Sequence, residues 1–273
     1  MKCVLKYPGA KWSRADWIIG HFPAHRVYLE PWFGSGAVFF NKLAADHETV
    51  NDLDDLVCNF FTVIRDRPED LARVISLTPY ARTEYMAAQE RAAGQSIPLT
   101  GEPVEDARRF AVRCCQSFGS KTADRVGWRN AKAGNGPNPP NQWGGLPDII
   151  MEAAQRLKNA QIENKDALEL ITGYNSPDCL IYADPPYIGT TRRGRIYRKE
   201  MLAAEQHEKM LIVLLAHSGP VVLSGYDNEL YNATLKGWNT DTIKANADGG
   251  AARTEKLWFN FDLQPTLYDH LEV

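Results

Sequence analysis

A glycine-rich turn between two short apolar runs constrains the fold of this chain more than any other feature. Val27-Tyr28-Leu29 leads into Glu30-Pro31-Trp32-Phe33-Gly34-Ser35-Gly36, and Ala37-Val38-Phe39-Phe40 follows at once. Strand, glycine turn and apolar helix start are the parts of a nucleotide-binding crossover, where backbone without a Cβ lets a ligand approach closely. The spacing is only G-x-G, so the dinucleotide fingerprint lacks its third glycine and a nicotinamide dehydrogenase is a poor match. Thr49-Val50-Asn51-Asp52 reads as a second strand, with Asp52 18 positions beyond Gly34. An acid about 20 residues after such a turn commonly takes ribose hydroxyls. Capping of the next helix by Asp52 or Asp54 competes with that role. Leu53, Leu56, Val57, Phe60, Phe61 and Ile64 recur at helical spacing and mark that helix as an amphipathic crossover.

A second strand-to-turn junction carries the chemistry. Cys179-Leu180-Ile181-Tyr182-Ala183 is a continuous apolar run of the kind buried in a parallel sheet, and Asp184-Pro185-Pro186-Tyr187 follows it. An acid at the carboxyl end of such a strand sits where α/β proteins bind their ligands. The prolines hold the chain extended with their carbonyls free to accept, and Asp184 accepts when ionised. Tyr187 adds a flat aromatic face. A pocket that accepts hydrogen bonds in a plane and stacks above it suits a nucleobase amino group, and an ordinary strand-ending turn is the plainer alternative.

From Pro68 to about Gly145 the character changes to helix, with Leu71, Val74 and Ile75 and then the stripe Val104, Ala107, Ala111, Cys114 and Phe118. Seven basic residues between 108 and 132, including Arg108, Arg109, Lys121, Arg125 and Arg129, face Asp124 as the only acid in that window. Trp128 and Trp143 are interleaved with them. Such a run is often a solvated face, but basic residues alternating with aromatics on an inserted segment also fit a nucleic-acid surface. A further five charges, Arg192, Arg193, Arg195, Arg198 and Lys199, stand directly after the Asp-Pro-Pro-Tyr turn. Later elements are a helix through Ile149 to Leu157, a helix opened by Asp166, a helix through His207 to Leu215, and strands at Val221–Ser224 and Leu257–Phe261, the last closing the sheet. With a net charge of −3, any nucleic-acid surface must be local. Five cysteines without a C-x-x-C pair point to a reducing compartment and to neither a disulfide framework nor a zinc site. No metal is expected. No stretch approaches a membrane span, and the N-terminus lacks the apolar run of a signal peptide.

In this order the motifs resemble the Dam-like DNA adenine-N6 methyltransferases over nearly the whole chain. KYPGAK resembles the family's opening aromatic-x-Gly-Gly-Lys motif, with Ala10 in place of the second glycine. YLEPWFGSGAVFFN resembles the cofactor-binding motif, VNDLDDLVCNFF the acidic segment, YADPPY the catalytic motif, and EQHEKM, PVVLSGYD and RTEKLWFN the later segments. The inserted region matches least. The resemblance implies an α/β fold: a Rossmann-like S-adenosylmethionine-dependent methyltransferase sheet formed by residues 1–66 and 147–273, with a mainly helical target-recognition insertion at 67–146. It implies a cytoplasmic enzyme, bacterial or phage-encoded, acting on double-stranded DNA. Tyr7, Gly9 and Lys11 would hold the amino-acid end of the cofactor, and Phe33, Gly34 and Gly36 the methionine and ribose region. Asp52 would take the ribose, and Asp166 either the cofactor's adenine or only its own helix. Asp184, Pro185, Pro186 and Tyr187 would be catalytic. Arg108, Arg109, Lys121, Arg125, Arg129, Arg192, Arg193 and Arg195 would contact DNA. Rival readings are amino methylation of RNA, protein glutamine or cytosine N4, and a DNA-binding relative without activity.

Overall fold

The computed structural model describes residues 1–89, 100–119, 122, 126–130, 138–189, 196–246 and 252–263. Strands β1 (Val27–Glu30), β2 (His47–Asn51), β3 (Ala160–Glu163), β4 (Cys179–Ala183), β5 (Val221–Tyr226), β6 (Asn239–Asn246) and β7 (Ala252–Phe259) form one sheet in the order β3-β2-β1-β4-β5-β7-β6. β1 to β5 pair in parallel, and β7 runs antiparallel to both β5 and β6. The helices are α1 (Ala15–Ile19), α2 (Ala37–Asn41), α3 (Asp55–Asp66), α4 (Pro68–Ser76), α5 (Arg82–Ala88), α6 (Pro103–Gln116), α7 (Pro139–Gly144), α8 (Leu146–Leu157), α9 (Ala167–Gly173), α10 (Ala204–Leu215) and α11 (Glu229–Thr234).

β4 shows why the sheet needs cover on both faces. Successive strand side chains point to opposite sides: Leu180 and Tyr182 pack with Tyr28, Phe60 and Phe110, whereas Ile181 and Ala183 pack with Leu29, Leu211 and Trp258. All five residues of β4 are buried, as its unbroken apolar sequence requires. Leu71, Ile75, Tyr85, Phe110 and Trp143, from the helices of the 67–146 segment, belong to the same apolar cluster as Tyr28 on β1. The inserted helices therefore share the core of the sheet.

The expectation that the strand ending near Phe261 closes the sheet is corrected. β7 lies inside, between β5 and β6, and β6 forms the edge. The sequence of β6, Asn-Thr-Asp-Thr-Ile-Lys-Ala-Asn, has no apolar alternation to signal a strand. Its backbone pairing to β7 runs from Asn239 opposite Phe259 to Asn246 opposite Ala252.

Strand order reverses between β1 and β4, which pair with Leu29 opposite Ile181. The glycine turn after β1 and the Asp-Pro-Pro-Tyr turn after β4 thus emerge side by side at the carboxyl edge, in the crevice where open α/β sheets bind ligands.

Candidate active site

Asp54, with its side chain accepting from Leu56 N at 3.0 Å, is the residue that caps α3. That leaves Asp52 for another task. Its Oδ2 accepts from Gly34 N at 2.9 Å and its Oδ1 from Asp54 N at 2.9 Å, which ties the acid to the glycine turn. Burial pushes its carboxyl up to about 7, against the pull of the Asp54, Gly34 and Leu53 backbone N–H groups. Gly34 has φ +50°, and a Cβ there would sit 3.2 Å from the Tyr7 ring. Gly36 serves packing: with φ +67°, a Cβ would stand 2.5 Å from the ring of Phe33 and 2.7 Å from that of Phe40. It is not part of the cavity wall, contrary to the expected place beside Phe33 and Gly34.

A cavity of about 300 Å³ runs along this edge. Tyr7, Gly9, Lys11, Phe33, Gly34, Asp52, Asp166, Asp184 and Pro186 all line it. The opening turn, the glycine turn, the acid after β2 and the Asp-Pro-Pro-Tyr turn, which are far apart in sequence, meet at one site. Asp166 has both of its expected roles open. It caps α9 by accepting from Leu168 N at 2.9 Å and Glu169 N at 3.1 Å, and it stands on the wall. Pro185 is buried and, like Tyr187, is not among the wall residues; the Tyr187 ring centroid is 4.9 Å from Lys11 Nζ.

Asp184 lies at the centre of a charge network. Lys11 Nζ donates to its Oδ1 at 2.9 Å and its Oδ2 at 2.8 Å, and Ser224 Oγ donates to Oδ1 at 2.8 Å. Burial raises the Asp184 carboxyl; Lys11 opposes that and Glu255 adds to it. For Lys11, burial alone would favour the neutral amine, but Asp184 and Glu255 outweigh it and hold the ammonium above its ordinary value. Tyr187 donates its hydroxyl to Glu255 Oε1, and Tyr226 meets the Tyr187 ring edge-on with centroids 4.6 Å apart.

Sequence reasoning missed several of these groups. Glu30, read only as part of the turn, is buried on the wall; burial lifts its carboxyl to about 8, and Tyr28 donates to it at 2.7 Å. Trp32, Leu53 and Leu168 supply apolar wall, and Tyr197 closes over the opening turn by donating to Pro8 O at 3.3 Å. Leu53 carries a usable signal, a large apolar side chain left 46% exposed beside an acid. Ser224 and Glu255 reach the site only through sheet pairing, which no local pattern encodes.

The basic residues divide. Arg108 lies among acids outside the 108–132 window: it donates to Glu105 at 2.6 and 2.8 Å and to Glu84 at 3.1 Å. Arg109 donates to Glu105 at 2.7 Å. Glu105 is one helical turn before both arginines, so the apparent lack of acids is corrected. Arg129 is half-buried near Lys6. Arg198 turns inward onto Asp54 and Asp55. Lys121, Arg125, Arg192, Arg193 and Arg195 lie outside the described residues. Among the described residues no cluster of His, Cys, Asp or Glu could hold a metal ion, and no helix is long and apolar enough to cross a membrane.

The sheet order and the paired turns at its switch point define a Rossmann-like α/β domain. The model of the D12 class N6 adenine-specific DNA methyltransferases matches residues 7–247, and the chain belongs to that family. A 72-residue stretch is 31% identical to a DNA adenine methylase of Serratia marcescens, covering 26% of this chain and about a quarter (26%) of that relative's length. Among solved structures, a putative methyltransferase of Escherichia coli is similar at 12% identity and TM-score 0.40, over 95% of this chain and 92% of the other. A precorrin 8W decarboxylase of Methanobacterium thermoautotrophicum is similar at 9% identity and TM-score 0.38, over 94% of each chain. At these scores neither bears on the chemistry.

Proposed function

We propose that the protein transfers a methyl group from S-adenosylmethionine to N6 of an adenine flipped out of double-stranded DNA, within a short specific site. The observation that carries this reading is the Asp184 carboxylate on the wall of the same cavity as Asp52 and the Gly34 turn. A carboxylate for the target amine and a carboxylate for a nucleoside hydroxyl thereby share one crevice. The cavity fits the cofactor: Gly34 keeps one wall thin, Asp52 retains acceptor capacity beyond its backbone bonds, and Trp32 and Leu53 offer apolar faces for a base. Tyr7, Gly9 and Lys11 would hold the amino-acid end, and Asp166 would serve the adenine end. When bound, S-adenosylmethionine supplies an electrophilic methyl group on a sulfonium centre.

An adenine amino nitrogen is a weak nucleophile because its lone pair is delocalised into the ring. Asp184 and the Pro185 carbonyl accept its two N–H groups, turn the lone pair toward the methyl group, and stabilise positive charge as it develops on nitrogen. The methylated nitrogen then loses a proton readily, so no strong base is needed. Tyr187 gives the flipped base a stacking face. Cytosine C5 chemistry would need a cysteine nucleophile; Cys58, Cys114 and Cys179 are buried, and burial raises their thiols above the usual range. The 67–146 segment is assigned to target recognition, with residues 1–66 and 147–273 as the catalytic domain. Arg109, Lys121, Arg125, Arg129, Arg192, Arg193 and Arg195 are assigned to phosphates.

Nucleoside mass spectrometry of DNA treated with the protein and S-adenosylmethionine tests the reading. N6-methyladenine is expected; 4-methylcytosine or 5-methylcytosine in its place, or modified RNA or protein alone, would overturn it.

A further inference from the structure

β7 crosses the sheet with a carboxylate that packing alone does not call for. Glu255 is 1% exposed, and a buried charge is costly unless several partners offset it. Its partners are one lysine of the cavity wall and two groups beside the cavity. Tyr187 donates to Oε1, Lys11 Nζ lies 3.6 Å from Oε1, and Arg14 Nη1 lies 3.3 Å from Oε2. Glu255 is also directly opposite Tyr226 in the β5–β7 register. The ring of Tyr187 is therefore gripped at its hydroxyl by one residue of a cross-strand pair and at its edge by the other.

We propose that Glu255 is a positioning residue for methyl transfer: it fixes the Tyr187 ring and shares Lys11 with Asp184, so that Lys11 does not monopolise the oxygens needed by the target amine. This inference rests on the proposed adenine methylation. Lys11 spans both oxygens of Asp184 at 2.8 and 2.9 Å, a geometry that competes with any incoming N–H donor. A second anion on the other side of Nζ weakens that competition. It leaves the ammonium a place to lean as the base arrives, without an uncompensated charge.

The groups facing Asp184 are Lys11 from the opening turn, Glu30 on β1, Tyr182 on β4, Tyr187 in the catalytic turn, Ser224 on β5, Tyr231 on α11 and Glu255 on β7. Of these, Glu255 is the carboxylate that shares Lys11 with Asp184. Removing its charge leaves Asp184 as the carboxylate bound to Lys11, which also donates to Gly9 O at 3.0 Å, and removes an anionic neighbour. Both effects keep Asp184 ionised to lower pH.

The test uses the full chain, DNA lacking adenine methylation and saturating S-adenosylmethionine, with single-turnover rates across pH. Glu255→Gln retains a carbonyl oxygen for the Tyr187 hydroxyl but loses the charge. Its rate should fall by on the order of 10²-fold, and the acid limb of its pH profile should move to lower pH. Tyr187→Phe keeps the charge and the ring; its rate should fall with the acid limb unmoved. A purely structural role would lower the melting temperature of Glu255→Gln without moving its acid limb, and that result overturns the proposal, as does a wild-type rate. If Glu255→Gln fails to fold, Glu255→Asp replaces it, with a reduced rate in support and an unchanged rate against. If wild-type protein forms no N6-methyladenine, or Asp184→Ala still does, the underlying reading has failed; normal behaviour of those two with an unaffected Glu255→Gln sinks this inference alone.

Discussion

Burial raises the Asp184 carboxyl, and Lys11, bonded to both of its oxygens, opposes that rise. It lies at a turn after β4 and outside the apolar clusters. Asp184→Ala should therefore abolish methyl transfer while cofactor binding persists. Transfer of labelled methyl to DNA, beside calorimetry with the cofactor, checks both halves. Asp52 yields a pH prediction. A ribose hydroxyl donates more strongly to the ionised acid, and Asp52 changes protonation near pH 7 rather than near 4. Cofactor affinity should accordingly rise as pH increases through about 7 and weaken below it. Asp52→Asn should flatten that dependence and cost about 1.5–3 kcal/mol of affinity at pH 8. Calorimetry at pH 6 and 8 gives the answer, and an unchanged slope would remove Asp52 from the ribose.

Between β1 and α2 the chain turns at Gly36, which is the N-cap of α2 and holds a left-handed conformation against two phenylalanine rings. Gly36→Ala combines backbone strain with an overpacked contact, so a loss of about 2–4 kcal/mol in stability is expected. Denaturant unfolding measures it, and an unshifted midpoint would show that the rings move aside freely. On α6, Arg108 ties the helix to Glu84 of α5 and to its own first turn. Arg108→Ala should lower stability by about 1 kcal/mol and leave the salt dependence of DNA binding at its wild-type slope. That outcome separates Arg108 from the remaining basic residues of the segment.

For the molecule as a whole, a net charge of −3 means that the proposed DNA partner must be met by local clusters of positive charge. Neutralising Arg192, Arg193 and Arg195 together should weaken binding to every sequence. Each phosphate left without its cation should flatten the plot of log affinity against log salt by about 0.9. A titration at several salt concentrations decides it, since a solvated loop would leave the slope unchanged. Substitutions in 108–132 should instead alter which sites are methylated, the outcome expected of the proposed target-recognition segment.

The sequence alone determined the parts that repeat locally: the buried strand Cys179–Ala183, the amphipathic α3, the glycine turn, and the acids Asp52 and Asp184 at strand ends. Each is written in a run of neighbouring residues whose periodicity or turn chemistry has one physical solution. Whether Asp52 or Asp54 capped α3 was undecided there, because both carry the same side chain at a helix start; only the backbone around Leu56 chose Asp54. β6 was invisible because an edge strand held by backbone bonds to β7 needs no apolar code. Arg108 read as a free cation because its acids lie outside the window of positive charge. The bonds from Lys11 and Ser224 to Asp184, and from Tyr187 to Glu255, join residues 173, 40 and 68 positions apart. Sheet order, a property of the whole chain, brought those partners together and made the carboxylates, the ammonium and the ring one charge network.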